Sequence, residues 1–330
     1  SKSDSIIINS PSQLIHNLDE LPFPAWEKFE LQKYIYPQEG RLQIATSRGC
    51  PYNCVFCAVK LSMGLGFRPR SPENVVEEIE HWYGKGFTFF EFVDDCFTLD
   101  LNRAKTICDL IIEKGLKIRW NCANGIRADR VDEELLIKMK KAGCEFVAYG
   151  LETGSEKILT QIKKGITLEK SKETFLLTKK VGLKFAVNFI VGLPEETYAD
   201  ALKSVELAKE VPADYVNFSN MVPYPGTETY QYIKDHGTFL LPEETYLTES
   251  TTKLGEPVFE TPEFSLVERR KALQKGRAVA KQSHLQYRLG KKVGLAAYQL
   301  ARSDIIYNSI RRINSGSTKM KKIYDKLKTQ

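Results

Sequence analysis

Cys50-Pro51-Tyr52-Asn53-Cys54-Val55-Phe56-Cys57 places three thiols in one short loop, reached from an apolar run (Leu42, Ile44, Ala45) through Ser47-Arg48-Gly49. Three cysteines this close can converge on one soft metal centre, yet they leave it one ligand short of the four that structural zinc and iron sites normally take from protein. The next cysteine, Cys96, is far along the chain and alone. The missing position reads as an opening for substrate. A partial zinc knuckle or a chance group of buried cysteines is the competing reading, and the surroundings of the loop must decide between them.

From Leu42 onward a unit repeats. Short β-rich apolar runs at 42–46, 87–93, 117–122, 146–149, 184–191 and 215–218 alternate with helical stretches at 73–83, 102–113, 132–141, 156–162, 168–180 and 197–209. Gly86, Gly115, Gly143 and Gly182 each stand between a helical stretch and the next strand, where a left-handed residue commonly ends a helix. At the opposite ends, Ser71-Pro72-Glu73 offers a capping hydroxyl with proline in the first helical position. Asp132-Glu133-Glu134 likewise sets carboxylates at a positive dipole end. Strands alternating with helices give a parallel sheet, open or curved into a barrel, and periodicity does not separate the two.

The Cys-x-x-x-Cys-x-x-Cys spacing, with Phe56 just before the third cysteine, resembles the signature of radical S-adenosylmethionine (radical SAM) enzymes. The likeness spans residues 42–227 and is nearest to the subgroup often fused to a cobalamin-binding domain. It implies an α/β fold with a (β/α)6 partial TIM barrel at 41–236, while composition adds an N-terminal strap or linker at 1–40 and a C-terminal extension at 237–330 that is irregular first and then basic and helical. It further implies that Cys50, Cys54 and Cys57 hold a 4Fe-4S cluster whose fourth iron is chelated by S-adenosylmethionine. One electron then cleaves the sulfonium, and the 5'-deoxyadenosyl radical takes a hydrogen atom from the substrate. A flavodoxin- or ferredoxin-like donor supplies the electron, and cobalamin is a further cofactor in that subgroup.

In a barrel the reacting groups sit at the C-terminal ends of the strands. Those ends carry the cysteine loop, Asp94-Asp95, Asn124 with Arg127, Glu152, Gly192 to Glu195, and Asn217 with Ser219. The family's Gly-Gly-Glu segment, which binds the methionine amino group, falls at Val93-Asp94-Asp95, so backbone carbonyls or the Asp95 carboxylate would have to serve. Glu152 resembles the polar residue that contacts the ribose or methionine part. The adenine-side motif reads Asn188-Phe189-Ile190-Val191-Gly192-Leu193-Pro194-Glu195, with its first glycine replaced, which leaves Ile190 and Gly192 as the contacts.

Each assignment has a plainer rival. Asp94, Asp95, Asn217 and Glu152 can act as helix caps or loop hydrogen-bonders. Arg127 either steadies a carboxylate through its bidentate fork or pairs with Asp129. Arg68 and Arg70 either tune charge near the cluster or sit in a solvated loop. Cys96, Cys108, Cys122 and Cys144 read as packed thiols. His16, His81, His236 and His284 form no ligand spacing, and no chemistry is assigned to them.

The net charge of +6 is uneven. From Phe264 onward 17 Lys and Arg face three acids, a net of +14, so residues 1–263 carry −8. The tail, with Val293, Ala297, Leu300, Ile306, Ile310 and Ile313 at mostly helical spacing, reads first as a solvated or barrel-capping helical face. Peripheral contact with an anionic membrane, which would bring the barrel to a lipid or anionic substrate, is its rival. No recognisable RNA-binding module accompanies the charge, which argues against nucleic acid.

No apolar run approaches the roughly 18 residues of a spanning helix. The odd count of seven cysteines, three of them clustered, is no disulfide framework and points to a reducing, cytoplasmic setting. The paired prolines of Leu21-Pro22-Phe23-Pro24-Ala25-Trp26 make that stretch a strap or linker, similar to the segment that joins a cobalamin domain to the radical domain. No such domain is read upstream, and the initial Ser is expected to reflect processing or excision. An iron–sulfur scaffold without turnover is the reading from another class.

Overall fold

A computed structural model describes residues 13–34, 41–248 and 255–300. Six strands form one sheet: β1 (Arg41–Ile44), β2 (Phe89–Phe92), β3 (Arg119–Ile126), β4 (Cys144–Glu152), β5 (Lys184–Val191) and β6 (Tyr215–Asn220). They pair in strict chain order and every pair is parallel. That order resolves what periodicity left open. A doubly wound sheet reverses its strand order at a switch point, whereas an unbroken progression curves into a barrel. Among the described residues β1 and β6 do not pair, so the barrel is partial.

The helices lie between the strands as expected: α1 (Pro72–Gly84), α2 (Leu101–Glu113), α3 (Glu133–Lys141), α4 (Glu156–Gln161), α5 (Leu168–Val181) and α6 (Tyr198–Glu210). The caps read from the sequence at Ser71 and Asp132 are in place, and a third is added at Thr197. Ser71 accepts from the Asn74 N–H with proline in the first turn, Asp132 accepts from the Leu135 N–H, and Thr197 with Asp200 forms a capping box. Gly182 closes α5 at φ +75. At Gly143 the left-handed backbone (φ +91) brings the chain so close to β3 that a Cβ would strike the Ile118 carbonyl.

The core fills the layer between sheet and helices. Phe92 stacks on Trp120 at 4.4 Å with Phe97 edge-on, and Tyr149, Phe175 and Phe185 form a second aromatic group. Fully burying such side chains is worth about 1.5–3 kcal/mol each. The Trp120 indole N–H donates to the Ala142 carbonyl at 2.9 Å, so its one polar atom is satisfied. On β5 and β6 the buried Phe189 and Phe218 stack at 4.9 Å. The alternate residues Asn188, Ile190, Asn217 and Ser219, which pair Asn188 with Asn217 and Ile190 with Ser219, therefore share the opposite face.

The strap runs over the outside of α1. Leu18 is buried, Asp19 accepts from the Ser71 N–H at 2.9 Å, and Arg68 donates to the Ile15 carbonyl at 2.8 Å. After β6 come α7 (Glu228–His236), a two-strand pair of Thr238–Phe239 with Phe259–Glu260, and a short helix Glu243–Thr248 between them. Part of the stretch read as irregular is thus ordered.

Two helices follow, α8 (Leu266–Leu289) and α9 (Lys291–Leu300). α8 covers the free edge of β6: the Val216 N–H donates to Ser283 Oγ at 3.1 Å, and Gly276 packs directly on the Phe218 ring. This basic helix is therefore barrel wall rather than a separate tail. Val293 is exposed, while Ile306, Ile310 and Ile313 lie outside the described residues.

Candidate functional site

The cysteine loop leaves the end of β1, and a small antiparallel pair, Ser47–Arg48 with Arg68–Pro69, closes it at its base. Gly49 takes φ +82 there, and a Cβ would run into the Gly66 carbonyl oxygen. Neighbouring rim segments hold the loop from several sides. The Gly49 N–H donates to Asp95 Oδ2 at 2.9 Å, the Val55 N–H to the Ile162 carbonyl at 3.2 Å, and the Thr229 N–H to the Val55 carbonyl at 3.0 Å. The Arg130 guanidinium donates to the Tyr52 hydroxyl at 2.6 Å, while the Arg127 guanidinium lies over the Tyr52 ring at 3.5 Å. Three strand ends and two helices thus fix one loop, which is what a metal site with short, rigid ligands requires.

The three thiols differ electrically. Burial raises Cys54 and Cys57, whereas Cys50 is lowered to about 6. The main cause at Cys50 is the Cys96 thiol, which hydrogen-bonds it. The Tyr52 backbone and the Arg127 charge help against the cost of burial. Cys96, whose own thiol is pushed far up, is wholly buried. It is packed, as expected, but packed against a ligand cysteine. Cys108, Cys122 and Cys144 are buried and are raised chiefly by that burial.

The other rim residues divide. The Asp94 carboxylate is wholly buried and accepts from the Thr46 N–H and hydroxyl and from the Ser47 hydroxyl, so it locks the β1 and β2 loop ends together. Burial nevertheless holds it above its ordinary value. Asn124 donates to the Val93 and Asp94 carbonyls at 3.1 and 3.0 Å. Arg127 forms the fork with Asp129 that the plainer reading named, at 2.9 and 3.1 Å, and still faces Tyr52. Arg70 is bound to Glu78, Asn74 and the Ala45 carbonyl, and Arg68 to two backbone carbonyls, so both anchor the loop base.

Glu152 sits at φ +74, one of three non-glycine residues with positive φ among the described residues, with Lys163 and Glu195. Glu152 ends β4 and the other two lie on loops, all at this rim, and held strain of this kind collects at functional sites. The Glu152 carboxylate accepts from Lys164 Nζ at 2.7 Å in a buried ion pair. Gly150 makes room for it, since a Cβ there would fall 2.5 Å from Glu152 Oε1. Burial alone would lower the Lys164 ammonium, but Glu152 and Cys54 hold it above its ordinary value, and it lies 5.9 Å from the Phe56 ring centre. Lys164 went unnoticed in the sequence because it reads as one more solvated lysine beside Lys163.

On the inner face, Asn217 donates to Asn188 Oδ1 at 2.8 Å and meets His284 Nε2 at 2.9 Å through its own Oδ1. Asn217 is therefore part of a side-chain chain that crosses β5, β6 and α8. Ile190 is partly buried and Ser219 is exposed on that face.

The Gly192 loop is held from behind. Glu196 accepts from the Gly192 and Leu193 N–H groups at 2.6 and 3.2 Å, and Arg269 of α8 donates to the Gly192 carbonyl at 3.4 Å. Arg269 lies between the Phe259 and Phe264 rings at 4.2 and 4.8 Å. Burial pushes Glu196 up to about 7 and Arg269 down to about 10, each against the other's charge. Gly192 has φ +100, and any Cβ would meet that guanidinium.

The donor set fits an iron–sulfur cluster: three thiols on a preorganised loop at the barrel rim, with the two buried cations Arg127 and Lys164 beside them. Among the described residues no three His, Cys, Asp or Glu side chains close on a point as ligands of a single ion would. The family model of the radical SAM superfamily matches residues 44–208, half of the chain. The chain belongs to the radical SAM superfamily.

An uncharacterized methyltransferase of Pyrococcus horikoshii is 38% identical over 224 residues, 67% of this chain and 48% of that protein. The anaerobic magnesium-protoporphyrin IX monomethyl ester cyclase of Rubrivivax gelatinosus is 30% identical over 70% of this chain and 42% of its own. The chain spans about half the length of the curated relatives it matches. A radical S-adenosylmethionine methyltransferase from Kitasatospora setae, solved with cobalamin and a 4Fe-4S cluster, matches with a TM-score of 0.63. That likeness covers 86% of this chain and 63% of the other at 17% identity, and is one of fold. As a radical SAM enzyme, this protein works with a 4Fe-4S cluster and S-adenosylmethionine. No helix among the described residues is long and apolar enough to cross a membrane.

Proposed function

We propose that this barrel cleaves S-adenosylmethionine reductively and abstracts a hydrogen atom from its substrate, as the radical half-site of a methyltransferase or cyclase. The observation that carries the reading is the cysteine loop held beside the Glu152–Lys164 pair at one rim. When bound, the cluster supplies the electron and a vacant iron for the methionine end of S-adenosylmethionine. Cys50, Cys54 and Cys57 hold it, and Arg127 and Lys164 offset the charge of the thiolates.

The chain's own residues then orient the cosubstrate. Among the described residues the Lys164 ammonium hydrogen-bonds to Glu152, which leaves two donors for a carboxylate. Asp95 and the carbonyls at 93–95 face the amino group, Glu152 the ribose or methionine part, and Ile190 with Gly192 the adenine. Asn217 and Ser219 line the inner face, where the substrate lies. The names of the relatives support methyl transfer or ring closure, and cobalamin is the further cofactor this reading includes. A flavodoxin- or ferredoxin-like protein is the electron donor, in a reducing compartment such as the cytoplasm.

Lys164→Gln tests this arrangement. Charge-assisted hydrogen bonds are worth about 1.5–3 kcal/mol, so S-adenosylmethionine should bind about tenfold or more weakly while the iron content stays that of the wild type. Unchanged affinity with lowered thermal stability would return Lys164 to a purely structural partner of Glu152.

A further inference from the structure

A cavity of about 470 Å3 lies between α8, α9 and the segment Gly255-Glu256-Pro257. Arg270, Arg277 and Lys281 line it from α8, at spacings of seven and four that keep them on one helical face. One carboxylate, Glu256, enters the same space. The Asn220 side-chain amide donates to the Glu256 carbonyl at 2.9 Å, so the cavity adjoins the C-terminal end of β6, on the rim side of the barrel.

Among the lining residues three cations, Arg270, Arg277 and Lys281, face one carboxylate, Glu256. Glu256 is taken by Arg270, whose Nε lies 2.6 Å from its carboxylate. Arg277 is half-buried beneath Gly255, where a Cβ would come within 3.1 Å of Nη1. It makes no hydrogen bond or ion pair with any described residue. Burial lowers it, and among the described residues the more distant Glu256 is the charge that compensates it. A guanidinium drawn partly out of water without a bonded acceptor is costly, and an incoming anion offsets that cost. The planar fork of arginine matches phosphate oxygens, with neighbouring cations adding attraction.

We propose that this cavity binds a phosphate or diphosphate group, with Arg277 as its principal ligand and Arg270 and Lys281 at its sides. The group belongs either to a soluble phosphorylated molecule or to a phospholipid headgroup, and the site does not depend on the cluster chemistry.

The test is calorimetric titration of the full chain with inorganic pyrophosphate, beside cosedimentation with vesicles of phosphatidic acid in neutral lipid. Pyrophosphate should bind with a Kd that rises at least tenfold in Arg277→Gln. It should fall in Glu256→Gln, where a competing acid is gone; a misfolded variant would not gain affinity. If the group is a headgroup, retention on the acidic vesicles falls in Arg277→Gln and pyrophosphate competes poorly. If it is soluble, pyrophosphate binds and the vesicles retain wild type and variant alike. Equal pyrophosphate affinity in wild type, Arg277→Gln and Glu256→Gln, with vesicle retention also unchanged, would overturn the proposal and leave a solvated basic seam.

Discussion

Cys50→Ala, Cys54→Ala and Cys57→Ala should each take anaerobically reconstituted protein from about four irons per chain to almost none, because three thiolates are the whole protein ligand set of such a cluster. No fourth thiol can substitute from nearby without rebuilding the loop. Cys96, although it lies against Cys50, is wholly buried. Cys108→Ala should leave the iron unchanged, since that thiol sits in the core and faces no ligand. Iron content by chemical assay, with the visible absorption of the cluster, reads both results. Full iron in any of the three loop variants would remove that cysteine from the ligand set.

The second large effect is expected far from the cysteines. Arg269→Ala removes the positive charge that offsets the buried Glu196 carboxylate, whose own hydrogen bonds go to the Gly192 and Leu193 amides, and takes the donor from the Gly192 and Phe264 carbonyls, at about 1.5–3 kcal/mol for each hydrogen bond to a charged group that is lost. The sign of its pH dependence follows from Glu196. Its folded value near 7 lies above the ordinary carboxylate range, so the ionised form is the strained one. The penalty is absent below that ordinary range and grows as pH rises through 7. Without Arg269 the carboxyl moves higher still, so the loss in Arg269→Ala should be largest above pH 7 and shrink toward pH 5.

Asp200 also pushes Glu196 up, and Glu260 and Glu263 attract Arg269, so these acids share in the change. Arg269→Met with Glu196→Gln should recover part of the stability, because neither partner is then left charged and alone. Denaturant unfolding at pH 5, 7 and 8.5 measures all of this. A loss in Arg269→Ala that does not vary with pH would mean the arginine acts only by packing between Phe259 and Phe264.

What could be read from the sequence and what could not have separate physical origins. The strands and helices follow from apolar period, capping residues and glycine stops, all local, and the cysteine loop follows from spacing. These features repeat along the chain and need no knowledge of its path. Lys164, Cys96 and Arg269 carry no such mark. Lys164 gains its character from burial beside Glu152, Cys96 from meeting a loop that lies far from it in sequence, and Arg269 from two phenylalanine rings and a glycine that the fold brings to it.

The basic composition after Phe264 pointed toward a surface tail or cap. It masked a helix that seals the β6 edge, because Ser283, Gly276 and His284 reveal their contacts only once β6 is in place. Asp94 shows the converse. Its position at the rim marked it as a candidate contact, and its carboxylate is spent on Thr46 and Ser47.

The most direct measurement is the product of reductive cleavage. Anaerobically reconstituted protein, reduced with dithionite and given S-adenosylmethionine, should form 5'-deoxyadenosine and methionine in equal amounts, detected by liquid chromatography and mass spectrometry, and the Cys54→Ala variant should form neither. Protein that holds its full four irons yet produces no 5'-deoxyadenosine above the Cys54→Ala background would contradict radical chemistry at this site.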